Sequence, residues 1–205
     1  MRIFMRRDKR HDGIDVSNWE GDINFRKVRK SGIRIVYIKA TQGRDITDPD
    51  FERNYREAER EKLRIGFYHY VTARNLEEAK EEAAFFYDRI KNKRQHARPA
   101  MDFEEFGSLP PQEIRNISLQ FLRELETRTG HRPAIYSDAS NASTVFEDER
   151  LREYPLWIAQ YGVKRPHMEN QWRRWSGWQY TDRGHVKGIH GKVDRDYFRQ
   201  DILIR

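Results

Sequence analysis

The sequence predicts an α/β fold: a closed or nearly closed parallel barrel of five βα units followed by about three strands. Three observations predict it. Short β-branched apolar runs alternate with amphipathic helical patterns from residue 13 to about residue 146. Beyond Phe146 the helical pattern fades, and strand-like runs follow one another through Trp- and Gly-rich loops. The length, 205 residues, matches the scale at which single β/α barrels form, about 200 residues and upward. No linker, low-complexity segment or repeat beyond this alternation interrupts the chain. It reads as one domain over residues 13–205, preceded by a basic arm over 1–12.

Gly13 to Ser17 is a short strand ending in polar residues, with Asn18 and Trp19 opening a loop. Asp22 is placed to cap a short helix carrying Phe25 and Val28, which stops at Ser31-Gly32. Ile33 to Ala40 (IRIVYIKA) is apolar and β-branched, as a strand covered on both faces should be, and runs into the polar loop TQGRDITD. With Asp48 as cap and Pro49 in the first turn, a helix is expected to about Lys62, with Phe51, Tyr55 and Ala58 at helical spacing. Ile65 to Val71 is the third strand. Thr72 or Asn75 then starts a helix whose apolar positions are Leu76, Ala79, Ala83, Phe86 and Ile90.

The fourth strand is expected over Pro99 to Phe106, PAMDFEEF, where period-two alternation puts Ala100, Asp102 and Glu104 on one face. A helix follows Pro110-Pro111, with a broad apolar face from Ile114 to Leu125, and closes at Thr129-Gly130. Pro133 to Ser137 is the fifth strand, then a short helix or loop runs to Phe146. Pro155 to Tyr161 and Trp178 to Thr181 read as further strands. A turn-rich tail punctuated by Gly184, Gly188 and Gly191 carries Val193-Asp194.

Composition narrows the classes. Hydrophobic residues make up 37% and charged residues 36%, yet 5 Trp, 10 Tyr and 11 Phe supply a core that disordered chains lack. No apolar run approaches the roughly 20 residues that span a bilayer. Zero cysteines exclude disulfides and thiolate metal sites. The first residues, MRIFMRRDKRHD, have the basic start of a signal peptide without its apolar core. Export by another route, a leader or anchor outside this chain, and a plain basic arm all fit. The net charge of +7 suggests an anionic partner, either nucleic acid or a bacterial wall. Because Lys and Arg alternate with Asp and Glu, as over Glu57 to Arg64, the pattern is a solvated face and disfavours nucleic acid.

The chemistry is expected at the C-terminal ends of the strands. Read in order these are Asp15, Thr41-Gln42, Tyr68 to Tyr70, Asp102 with Glu104, Tyr136, Trp157 to Tyr161, Gln179-Tyr180 and Asp194. Two acids pointing the same way repel and are partly desolvated, which keeps one protonated near neutral pH, the equipment of glycoside hydrolysis. Asp-X-Glu alone is short and common, and by itself fits an ordinary acidic turn better. Aromatic faces that stack on sugars, with carboxylates and amides that bind hydroxyls, dominate the remaining positions. Tyr68, Tyr136 and Trp157 fit core packing equally well, and His69 fits a structural hydrogen-bonder. Trp172, Trp175 and Trp178 would either line a wall-binding surface or cover the barrel bottom. No His, Asp and Glu spacing of the zinc-protease type and no Gly-rich phosphate loop is present, so no metal or cofactor is expected.

The segments GIDVSNWEGDINF, YIKATQG, DPDFERNYREA, GFYHY, AMDFEEF, AIYSD, LWIAQY and GWQYTDRGHVKGIHGKVDRDYF resemble, in order, those of family 25 glycoside hydrolases, the Chalaropsis-type lysozymes. The resemblance covers about Gly13 to Phe198. It implies a single-domain, flattened, TIM-like β/α barrel and an N-acetylmuramidase. The substrate would be peptidoglycan, cut at the β-1,4 bond between N-acetylmuramic acid and N-acetylglucosamine by a secreted or wall-associated monomer. On this resemblance Glu104 is the general acid, Asp102 the partner carboxylate, and Asp15 and Asp194 the further acids of the site. Tyr68, Tyr136, Trp157 and Gln179 are the substrate-binding candidates. Two positions depart from the family pattern, which often has Glu at Gln42 and Asn at Asp196. A non-catalytic wall-glycan-binding module on the same fold is the alternative, and a metal-dependent nuclease built on the four acids a more distant one.

Overall fold

The computed structural model describes residues 10–168 and 170–204. Strand β1 (His11–Val16) leads to helix α1 (Phe25–Lys30), β2 (Ile35–Gln42), the two-residue β3 (Ile46–Thr47), α2 (Phe51–Arg60) and β4 (Arg64–Tyr70). Helix α3 (Leu76–Ile90), β5 (Ala100–Asp102), α4 (Pro111–Thr129), β6 (Ala134–Asp138) and α5 (Ala139–Ser143) follow. Then come β7 (Leu156–Ala159), β8 (Gly177–Gly184) and β9 (Val193–Phe198). Because β1 pairs with β2 on one side and β9 on the other, the sheet closes into an 8-strand barrel, with β3 as a short hairpin extension. Pairings around the barrel from β1 to β8 are parallel, while β9 runs antiparallel to both β8 and β1.

Strand side chains point alternately inward and outward, and the two faces build two cores. The outer faces and the helices bury Ile14, Val36, Ile38, Phe67, Phe86, Phe121 and Leu122 in one continuous layer. Inside the barrel, Tyr37, Trp157 and Phe198 meet with ring centroids 4.7 to 5.4 Å apart. Three large rings fit only because their inward neighbours are small. A Cβ on Gly13 would sit 2.4 Å from the Phe198 ring, one on Gly66 2.5 Å from Tyr37, and one on Gly177 2.7 Å from Trp157. Ala100 and Ala134 pair across β5 and β6 in the same interior. The barrel is thus plugged below and open above.

Several local expectations shift. Strand β1 begins at His11, so it takes up the last residues of the expected basic arm; residues 1–9 of that arm lie outside the described residues. The α1 cap is Asn24, whose side chain accepts from the Lys27 N–H, and not Asp22. Asp48 does not cap α2; it accepts from the backbone N–H groups of Asn18 and Asp50, tying the first loop to the second. Strand β5 ends at Asp102, where its registered partners Tyr70 and Tyr136 also sit, so Glu104 lies beyond the strand. The tail expected to be turn-rich holds a full strand, β9, which closes the barrel.

Candidate active site

The barrel brings together the four candidate acids and the four substrate-binding candidates. Asp15, Tyr68, Asp102, Glu104, Tyr136, Trp157, Gln179 and Asp194 line one cavity of about 180 Å³ at the C-terminal ends of the parallel strands. Ser17, Trp19, Lys39 and Tyr70 complete its wall. Strand register explains the convergence: Tyr70, Asp102, Tyr136 and Trp157 are successive cross-strand neighbours, so period two turns them inward together. Pairing of Asp15 with Asp194 across β1 and β9 adds the acids of the opposite wall. The cavity is smaller than the roughly 300–1,000 Å³ of pockets that enclose a whole small ligand. It suits one unit of a longer chain that crosses an open surface. Grooves of about 550 and 440 Å³ elsewhere, beside α1 and below β7, gather exposed charges and no buried acid pair.

Two acid groups face each other. In the first, Asp102 is buried and Glu104 stands exposed at the mouth. Burial, and then the charge of Glu104, pushes the Asp102 carboxyl well above the usual range. Glu104 is raised too, chiefly by desolvation of its carboxyl at the cavity wall. The two are within hydrogen-bond reach, a contact that requires a proton on one of them. Sequence reasoning puts that proton on Glu104. The burial order reverses this at rest: Asp102, deeper in the wall, holds it and donates to Glu104.

The second group is Asp15, Asp194 and Asp196. Asp15 is raised by burial and by the two neighbouring aspartates, and Asp194 is pushed up to about 6, chiefly by burial. Asp196 is fully buried; its Oδ1 accepts from the Trp157 indole N–H at 2.8 Å, and burial drives its carboxyl well up. Departure from the common Asn therefore places a neutral acid under the floor. Sequence reasoning missed this role, because burial at Asp196 depends on the antiparallel register of β9.

Gln179 ties the two groups together. Its Nε2 donates to Asp15 Oδ2 at 2.9 Å, while its Oε1 accepts from the hydroxyls of Tyr136 (2.9 Å) and Tyr161. Gln179 and Trp157, each 2% exposed, form the floor and orient their neighbours more than they offer free surface. Burial holds the phenols of Tyr68 and Tyr136 far above their ordinary value, so both are neutral donors at the cavity wall. Trp19, 85% exposed, offers a free aromatic face at the rim.

The remaining candidates lie elsewhere. Trp172, Trp175 and Trp178 are buried; the first and last donate their N–H groups to the carbonyls of Tyr154 and Gln160. His69 is structural, as expected: outside the barrel wall, its Nδ1 contacts Thr41 Oγ1 at 2.7 Å and its Nε2 contacts Glu82 Oε2 at 3.0 Å. Among the described residues no cluster of His, Asp and Glu is arranged to hold a metal ion, and no helix is long and apolar enough to cross a membrane.

Comparison with known proteins agrees with this fold. The sequence model of the family described as Glycosyl hydrolases family 25 matches residues 14–189. The chain is 37% identical over 199 residues to the uncharacterized protein YegX of Escherichia coli O6:H1, covering 93% of this chain and 70% of that one. It is 31% identical over 197 residues to lysozyme M1 of Streptomyces globisporus, covering 91% and 67%. The crystal structure of the bacterial lysozyme from Streptomyces coelicolor superposes with a TM-score of 0.82 at 29% identity, over 92% of this chain and 91% of that one.

Proposed function

The chain belongs to family 25 of the glycosyl hydrolases, and from that membership we propose how its cavity cleaves peptidoglycan. The protein is a glycoside hydrolase of the lysozyme type, a muramidase. The observation that carries the mechanism is the contact between Asp102 and Glu104, one buried and one at the mouth of the same cavity.

Two carboxyls in hydrogen-bond contact cannot flank a glycosidic bond. Flanking pairs stand about 5–5.5 Å apart in retaining enzymes and about 6.5–9.5 Å apart in inverting ones. Both therefore act from one side. At rest Asp102 keeps the shared proton because it is the better buried. When the sugar's acetamido N–H donates to Asp102, that hydrogen bond favours its ionised form. The proton then moves to Glu104, which stands where the leaving glycosidic oxygen arrives and protonates it. Asp102, now ionised, orients the acetamido group so that its oxygen attacks the anomeric carbon, the substrate-assisted exception to the two-carboxylate schemes. Asp194, ionised on the opposite wall with Asp15 as its hydrogen-bond donor, stabilises positive charge developing on the sugar ring. Tyr68, Tyr136, Trp157 and Gln179 shape the floor.

On this reading residues 13–205 are the catalytic unit, and it acts as a monomer outside the cell or in the wall on the β-1,4 bond between N-acetylmuramic acid and N-acetylglucosamine. Digestion of purified peptidoglycan, borohydride reduction of the new ends and mass spectrometry test it. Reduced muramic acid is expected. Glu104→Gln should lower its release by at least about 10²- to 10⁴-fold, the usual contribution of a general acid, while glycan binding persists. Reduced glucosamine ends would overturn the bond assignment. Binding without any release by the wild type would point instead to a wall-binding module.

A further inference from the structure

We propose that Lys39 is an anion subsite of the cavity that recognises a carboxylate of the peptidoglycan substrate; this rests on the muramidase reading above. Lys39 is the one basic side chain among the described residues that line the cavity. In a regular strand, positions 39 and 42 would point to opposite faces. Here the register of β2 against β4 slips between Lys39 and Thr41, so that Lys39 pairs with Tyr68 and Gln42 with Tyr70. This bulge places the extra residue, Ala40, in the outer core and returns both Lys39 and Gln42 to the inner face.

There the ammonium is held without being neutralised. Lys39 Nζ donates to Gln42 Oε1 at 2.8 Å and lies 4.9 Å from the centroid of the Tyr70 ring. Among the described residues it makes no ion pair within 4.0 Å, although Asp48, Asp102 and Glu104 are all near enough to feel its charge. Its fixed partners are therefore a neutral amide and an aromatic face. Asp48 spends its oxygens on backbone N–H groups, and Asp102 and Glu104 share a proton with each other. A half-buried cation positioned by neutral groups keeps its capacity for a charge-assisted hydrogen bond. Repeated acids on the other walls leave an anionic substituent this single favourable place to lie. Glycan strands carry such groups in the lactyl acid of muramic acid and in the carboxylates of the stem peptide.

The test compares kcat/KM on three substrates: peptide-free glycan with free lactyl acids, the same glycan amidated with carbodiimide and methylamine, and peptide-bearing glycan. The ratio of acid to amidated glycan, or of peptide-bearing to amidated glycan, should fall about tenfold in Lys39→Met, as loss of a charged hydrogen bond implies. Whichever ratio falls identifies the source of the carboxylate. Lys39→Arg should restore most of that ratio. Gln42→Glu, which supplies an internal counter-ion and leaves Lys39 in place, should lower it as well. If Lys39→Met reduces activity on all three substrates equally, with both ratios unchanged, Lys39 acts only on the neighbouring acids and the subsite is refuted. Absence of cleavage of every substrate by the wild type would instead refute the muramidase reading.

Discussion

Replacing Asp196 by asparagine should flatten the dependence of stability on pH while leaving the site assembled. Asp196 is fully buried, and its carboxyl is raised well above the ordinary range by burial. An acid raised in the fold favours the folded state fully only below its unfolded pKa, and that contribution is lost as pH rises toward the folded pKa. Each pH unit in that window costs the wild type about 1.4 kcal/mol. Asparagine carries no such proton. It keeps an acceptor for the Trp157 N–H, bonded at 2.8 Å, and presents an N–H to Asp15, whose carboxyl donates to Asp196 in the wild type. Urea unfolding at pH 4.5 and 5.5 should therefore show Asp196→Asn gaining on the wild type by roughly 1.4 kcal/mol. Asp15, Asp194 and Asp196 titrate as a group, so the difference approaches one proton's worth for the group. Muramidase activity should persist. Parallel stability curves for the two proteins would mean that Asp196 is ionised in the fold, and the neutral-acid reasoning would fail. Asp196→Ala, by contrast, strands a buried indole donor and should cost about 1–3 kcal/mol.

Asp194, pushed up to about 6, should put a bend in the pH profile of kcat/KM close to that value, with activity rising as it ionises; Asp194→Asn should remove the bend along with much of the rate. Gly66→Ala should destabilise by about 1–3 kcal/mol in chemical denaturation, since the new Cβ would lie 2.5 Å from the Tyr37 ring in a filled barrel. His69→Ala should cost about 1–3 kcal/mol, because it removes one 3.0 Å hydrogen-bond partner of the buried Glu82 carboxylate, which keeps the N–H and hydroxyl of Thr72; a melting temperature close to wild type would show that the contact is dispensable.

The strands and their ends were legible because local chemistry marks them. IRIVYIKA is apolar on both faces, and the polar residues that follow such runs collect at one end of any parallel barrel. That rule alone placed Asp15, Tyr68, Asp102, Tyr136 and Gln179 in one cavity. What stayed hidden depends on partners distant in sequence. The antiparallel course of β9 follows from its pairing with β1 and β8, and nothing in VDRDYF specifies it. Bulging at Ala40, which turns Lys39 inward, is visible only in the register against β4. Glu104 reaches Asp102 from a loop rather than along a strand face, so the alternation argument brought the two together by an incomplete route. The glycines of β1, β4 and β8 read as weak strand residues until the three rings opposite them are seen.

Closure by β9 also links the completion of the cavity to the completion of the barrel. The strand that seals the barrel is the one that carries Asp194 and Asp196, and Gln179 on β8 bonds Asp15 from 164 residues away. A nascent chain that has not yet made β9 therefore has an open sheet and lacks two of the five acids, Asp194 and Asp196. Contacts of such long sequence separation form late and slowly, after the local helices. An enzyme built this way is expected to complete the acid lining of its cavity only when β9 pairs with β1 and β8.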